Sequence, residues 1–157
     1  MSPWLRRGVL WALAGSAALV AVWAGIWPES FYNSFPGLGR VWVRPEGPYS
    51  EHLIRDLGSL SAALAVVTVA AAIRPAAAGW DRALAVAWLV YGVPHLAFHA
   101  SHRSSLALLD QCISLAALTA QVALATLLLL PPKAREATSG LVWSHAVRPP
   151  RGVQPDR

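Results

Sequence analysis

Charge is scarce in this chain, and so is cysteine. Only 13% of the 157 residues are Asp, Glu, Lys or Arg, where soluble domains average about 25%. A single cysteine, Cys112, excludes an internal disulfide and paired-cysteine redox chemistry. Its place inside a long apolar run suits a small buried hydrophobe. No lysine or arginine falls in the middle of any apolar run. No nucleophile stands beside a histidine in a recognisable motif, so no catalytic group is assigned and the chain does not read as an enzyme.

Apolar residues are what is abundant, at 55% of the chain. A helix that crosses a bilayer needs about 20 mostly apolar residues. Four stretches meet or approach that length, near 9–27, 57–73, 83–98 and 106–130, and the third is the shortest. Helices are the expected form because each satisfies its own backbone polar groups in lipid. The first stretch has the basic start of a signal peptide (Arg6, Arg7). Its apolar run is longer than the usual h-region of about 7–15 residues and no clean A-x-A site follows, so it reads as a retained helix.

The net charge of +5 and the pI near 10.4 do not call for nucleic acid. The positive-inside rule accounts for them. With the N-terminus in the cytoplasm, Arg6, Arg7, Arg74, Arg82, Lys133, Arg135, Arg148, Arg151 and Arg157 lie inside, and Arg40, Arg44, Arg55 and Arg103 outside. The expected fold is all-α: a four-helix transmembrane bundle in the cell membrane, N-in and C-in, over residues 1–130. Residues 131–157 form a basic, proline-rich cytoplasmic tail, read as mostly disordered, whose arginines favour anionic lipid.

Local signals set the details. Ala17, Ala21 and Gly25 recur every four residues and place a small-residue stripe on one face of the first helix, where another helix can approach closely. Trp4, Trp11, Trp23 and Trp27 fall towards its ends, as interfacial anchors do. The 28–50 loop is long and holds Phe31, Tyr32, Phe35, Trp42 and Tyr49. Disordered segments are poor in aromatics, so an ordered cap at the outer interface is expected, serving as a lid or as an anchor. Ser50 is placed as N-cap of the second helix and Asp81 as cap of the third. Pro94 interrupts the third helix.

The candidate site lies at the outer mouth. Glu51, His52, Arg55 and Asp56 open the second helix, with Glu51–Arg55 and His52–Asp56 both spaced i, i+4. His95, His99 and His102 share one helical face within about 60°, and Tyr91 extends it one turn deeper. Asp110, Ser114 and Gln121 share a face of the fourth helix. Short connections make consecutive helices neighbours, so Tyr91, His95, His99, Asp56, Ser59 and Asp110 are expected to converge. All the ionisable groups within the spans then sit at one end of the bundle, and such groups at membrane depth are functional-site hypotheses.

Three readings of this cluster compete. The first is an electrostatic clasp, in which Arg55 pairs with Asp56, Glu51 or Asp110 and the histidines hydrogen-bond the loop and the headgroup layer. It belongs to a non-enzymatic bundle or an accessory subunit of a membrane assembly, with a membrane-protein partner or a second copy of the chain. The second is a metal or haem site, with His95 and His99 joined by His52, Glu51 or Asp56. The third is a proton relay, or a site for a lipid-like or quinone-like ligand entering from the outer leaflet.

Two stretches carry a family resemblance. They are Ser34-Phe35-Pro36-Gly37 followed by Gly47-Pro48-Tyr49-Ser50-Glu51-His52-Leu53-Ile54-Arg55-Asp56-Leu57-Gly58, and Trp88-Leu89-Val90-Tyr91-Gly92-Val93-Pro94-His95-Leu96. Together they resemble a group of small actinobacterial-type integral membrane proteins of unknown function. The Arg-Asp-Leu-Gly opening of the second helix also looks like the broader DoxX-like four-helix membrane proteins. The resemblance covers about residues 8–130. It implies a four-helix bundle and, for the wider group, an association with redox or thiol stress. It supplies no catalytic residue.

Overall fold

A computed structural model describes residues 1–102 and 106–131. The expectations for the tail and for Arg103 therefore lie outside the described residues, apart from Pro131. Five helices are present among the described residues: α1 (Pro3–Ile26), α2 (Pro28–Ser34), α3 (Glu51–Ile73), α4 (Ala78–Ser101) and α5 (Leu108–Leu127). Four of them, α1, α3, α4 and α5, are long and apolar enough to cross a membrane. The third such span is 24 residues long, as long as α1, and runs unbroken through Pro94. Counting apolar residues alone had made it look the shortest.

The helices do not pack in simple succession. α1 lies along α3 for most of its length, α4 lies along α5, and α3 touches α4 only a little. The small-residue stripe of α1 explains the first pair. A Cβ built on Gly58 of α3 would stand 2.5 Å from the backbone nitrogen of Gly25 and 2.8 Å from its Cα. The two backbones meet at a distance that only glycine at position 58 permits. The stripe is thus used within the chain.

The two pairs join at one end and part at the other. At the closed end a core of Leu10, Leu13, Ala72, Leu84, Ala85, Trp88, Ala125 and Leu128 draws on all four long helices. Trp88 is 2% exposed, and its indole N–H donates to the Thr68 hydroxyl at 3.0 Å, which ties α4 to α3. Burying about 150–250 Å² of one aromatic side chain makes such a residue dominate its core. The Met1 amine donates to the Pro131 carbonyl, so the start of α1 and the end of α5 share this end.

One buried ion pair completes the closed end. Arg6 Nε donates to Asp81 Oδ2 and Nη2 to Oδ1, while Nη2 and Nη1 also reach the carbonyls of Ala71 and Arg74. This corrects two sequence expectations. Asp81 is not the cap of α4, because Ala77 holds the N-cap position and Asp81 lies in the first turn. The ionisable groups are not all at one end either, because the most deeply buried pair lies at the end away from the histidines.

At the open end, residues 27–50 fold onto the α1–α3 pair. α2 turns back and inserts Phe31 between Ala24 and Ile54, with Trp23, Phe35, Val43 and Leu57 around it. The rings of Trp23, Phe31, Phe35 and Trp42 meet at centroid distances of 4.7–6.0 Å, mostly edge-on, the arrangement aromatic quadrupoles favour. After α2 a short antiparallel ladder pairs β1 (Pro36–Gly37) with β2 (Arg40–Val41). Gly37, Leu38 and Gly39 all take positive φ through the turn, and Leu38 stands fully exposed at its tip. A 3₁₀ turn over Arg44–Glu46 leads towards α3, whose N-cap is Ser50 as expected, without a side-chain capping bond.

Candidate functional cavity

The parting of the two helix pairs leaves a cavity of about 1110 Å³. Its size is slightly above the roughly 300–1,000 Å³ range of small-molecule sites. Aliphatic side chains of α1, α3 and α5, chiefly leucine and alanine, form about half of its wall, and Trp88 lies at the closed end. Phe31, Phe35, Trp42 and Val43 of the 27–50 segment line it from the loop side.

One wall is different. Trp88, Tyr91, His95 and His99 descend one face of α4 as a ladder of rings, with centroids 6.4, 5.5 and 5.0 Å apart along the series. The i, i+3 and i, i+4 spacing puts them in line because those positions stack on one helical face. All four line the cavity, as do Ser114 and Gln121 of α5. Gly92 packs towards Val122, whose methyl would lie 3.2 Å from an added Cβ, so Tyr91 and Gln121 stand level on adjacent helices.

The polar residues expected at the mouth divide into groups. Tyr91, His95 and His99 come together as anticipated. Asp56 and Ser59 do not join them. The Ser59 hydroxyl returns to the Arg55 carbonyl, and Asp56 pairs with His52 at 3.3 Å on an exposed face, the side chains being 55% and 84% exposed. Arg55 bonds Glu51 at 2.8 Å, as its spacing suggests, and its Nη1 donates to the Gly25 carbonyl at 2.6 Å. It therefore staples α3 to the end of α1 and does not reach Asp110. His102 is also outside the cavity. It stacks on Phe98 at 4.2 Å, with Nδ1 close to the Phe98 carbonyl and the Ser101 hydroxyl.

Asp110 has partners that the sequence did not reveal. Arg40 Nη1 and the indole N–H of Trp42, at 3.0 Å, both donate to its Oδ1. The β1–β2 hairpin is thereby strapped from the α1–α3 pair across to the first turn of α5. Beside the strap, Tyr32 donates its hydroxyl to the Gly47 carbonyl at 2.8 Å, and Tyr49 packs edge-on against Tyr32. The Tyr49 phenol is pushed above its ordinary pKa, first by desolvation and then by the charges of Glu51 and Glu29. It stays a neutral hydroxyl.

The proposed ligand triad of His52, His95 and His99 is divided between the exposed face of α3 and the cavity wall of α4. Among the described residues, no group of three or more His, Cys, Asp or Glu side chains is placed to hold a metal ion. Cys112 is exposed on α5 and not buried, because α5 keeps most of its surface outside the bundle.

Four apolar helices of spanning length, packed together at one end and parted around a cavity at the other, are the architecture of a multi-pass helical membrane protein. Comparison with protein-family models, with curated proteins and with solved structures returned no match.

Proposed function

We propose that this chain is a non-enzymatic membrane protein that holds a lipid-like, amphipathic molecule in the cavity between its helix pairs. One observation carries the reading: an apolar cavity within the membrane-spanning segments presents hydrogen-bonding side chains on a single wall. An apolar cleft with a few convergent polar groups is the usual form of a small-molecule site. α3 touches α4, and α1 touches α5, only a little, and all four are of spanning length, so in this reading an apolar ligand enters between them from the bilayer.

The orientation in this reading places both termini in the cytoplasm and the 27–50 segment outside the cell membrane. The excess of nine Lys and Arg over four supports it. The strapped hairpin then lies over the mouth at the outer surface, with Leu38 turned to the headgroup layer. The resemblance to small actinobacterial-type membrane proteins agrees with a bundle of this kind.

The test is extraction and mass spectrometry of lipid retained by the detergent-purified protein, beside an Ala117→Trp variant that fills the cavity. A stoichiometric amphiphile retained by the wild-type protein and lost from the variant is the expected result. Retention of bulk lipid in the same proportions by both proteins overturns the reading.

A further inference from the structure

The side chains on the polar wall specify the head of the ligand. Tyr91, His95, His99 and Gln121 line the cavity, yet among the described residues none of them makes a side-chain hydrogen bond to the protein. No buried side-chain nitrogen or oxygen among the described residues is left without a partner. All four residues line the cavity, so their polar atoms are available to a molecule that fills it. A phenol, two imidazoles and a carboxamide offer several donors and several acceptors. Polar groups in an apolar enclosure without partners cost free energy, so whatever fills the cavity is favoured when it supplies them.

Charge sets the second limit. Among the described residues that line the cavity there is no lysine, arginine or aspartate, and the only carboxylate is Glu46 near the loop. Arg40 and Asp110 neutralise one another in the strap, and Arg55 is engaged by Glu51 and the Gly25 carbonyl. A phosphate or carboxylate head at the ladder would find no lysine or arginine among the described lining residues, which disfavours it in an apolar cavity. A cationic head would find Glu46 and would stop at the loop. From Tyr91 to His99 the ladder extends about 12 Å along α4 at a rise of about 1.5 Å per residue, enough for a head group and the first part of its chain.

We infer that the cavity takes a lipid whose head is uncharged and bears hydroxyl or carbonyl oxygens, seated against Tyr91, His95, His99 and Gln121 with its chain along the α1–α3 wall. This rests on the cavity being a ligand site and names the class of ligand. Two sources share the chemistry, a glyceride-type head with a free hydroxyl and a ring head with carbonyl oxygens.

The experiment uses the full chain in lipid nanodiscs and four photoreactive probes that share one diazirine-bearing tail. Their heads are a diacylglycerol, a benzoquinone, a phosphate ester and a trimethylammonium. Cross-linked peptides are mapped. One or both neutral probes are expected to label residues lining the cavity at least about fivefold more than either charged probe, and the stronger of the two identifies the source. Tyr91→Phe combined with Gln121→Leu, both size-conserving, is expected to reduce that labelling about threefold to tenfold, the effect of one or two neutral hydrogen bonds. Equal or stronger cavity labelling by a charged probe, or neutral labelling indifferent to the double variant, overturns the inference while leaving the cavity as a site. Absence of cavity labelling by every probe, unchanged by Ala117→Trp, overturns the cavity reading and this inference with it.

Discussion

Arg6 and Asp81 form a two-bond fork, Nε to Oδ2 at 2.7 Å and Nη2 to Oδ1 at 2.6 Å, with both side chains 6% exposed. The pair ties α1 to the first turn of α4, and Arg6 also caps the last carbonyls of α3 through Ala71 and Arg74. A planar guanidinium can serve three helices at once because its five N–H groups point outward in a fixed fork. Removal of one partner leaves a buried charge uncompensated, which costs about 3–5 kcal/mol. Arg6→Met and Asp81→Leu are each expected to lower the thermal unfolding midpoint in detergent steeply, and the double variant to recover most of the loss. A double variant as unstable as the worse single one would show that the pair does not act as a unit.

Gly58 and Gly25 make opposite predictions although they touch. Gly58→Ala drives a methyl into the Gly25 backbone and must separate α1 from α3, a strain of about 1–3 kcal/mol. Gly25→Ala meets nothing within 4 Å and gains helix propensity of up to about 1 kcal/mol. Thermal denaturation of the two variants side by side is the check. Equal effects would mean that the helices cross elsewhere.

The Thr68–Trp88 bond predicts an asymmetry of its own. Trp88→Phe removes the donor and leaves the threonine hydroxyl on the Leu64 carbonyl, at 2.6 Å, so the loss is mainly one neutral hydrogen bond and some packing, about 1 kcal/mol. Thr68→Val keeps the shape but strands a buried indole N–H, a cost of about 1–3 kcal/mol. The valine variant should therefore unfold at the lower temperature.

Asp110 is expected to control the strap. Asp110→Ala frees both Arg40 and Trp42, and the exposed Gly37–Leu38–Gly39 turn then loses its hold on α5. Limited proteolysis should cut the hairpin several-fold faster in this variant, with little change in the stability of the closed-end core, none of whose residues bonds Asp110. Unchanged cleavage would mean that the aromatic cluster alone holds the segment.

Much of the fold is written in local patterns. The four apolar runs, Ser50 before α3 and the every-fourth small residues of α1 are read within a few residues of chain, whereas the short helix α2 lay inside what the sequence offered only as a loop. The i, i+4 pairs Glu51–Arg55 and His52–Asp56 are legible for the same reason. The stacked row Tyr91, His95 and His99 is also a property of one helix. The partners of Asp110 and Asp81 were not legible, because Arg40 and Arg6 lie 70 and 75 residues away and many carboxylate–arginine pairings satisfy the same sequence. Nor could helical spacing tell which way Asp56 and Ser59 would face.

By itself, the sequence determined that the chain builds four long apolar helices and that α4 carries a row of polar rings, since hydropathy and helical periodicity act over a few turns and need no partner. Only the tertiary structure decided that α1 pairs with α3 and α4 with α5, and that the pairs part at one end. That choice depends on which backbones can approach, at Gly58 and Gly25, and on where a buried charge finds its counter-charge, at Arg6 and Asp81. The cavity follows from the pairing, and with it the reason that three polar side chains of α4 face an apolar space.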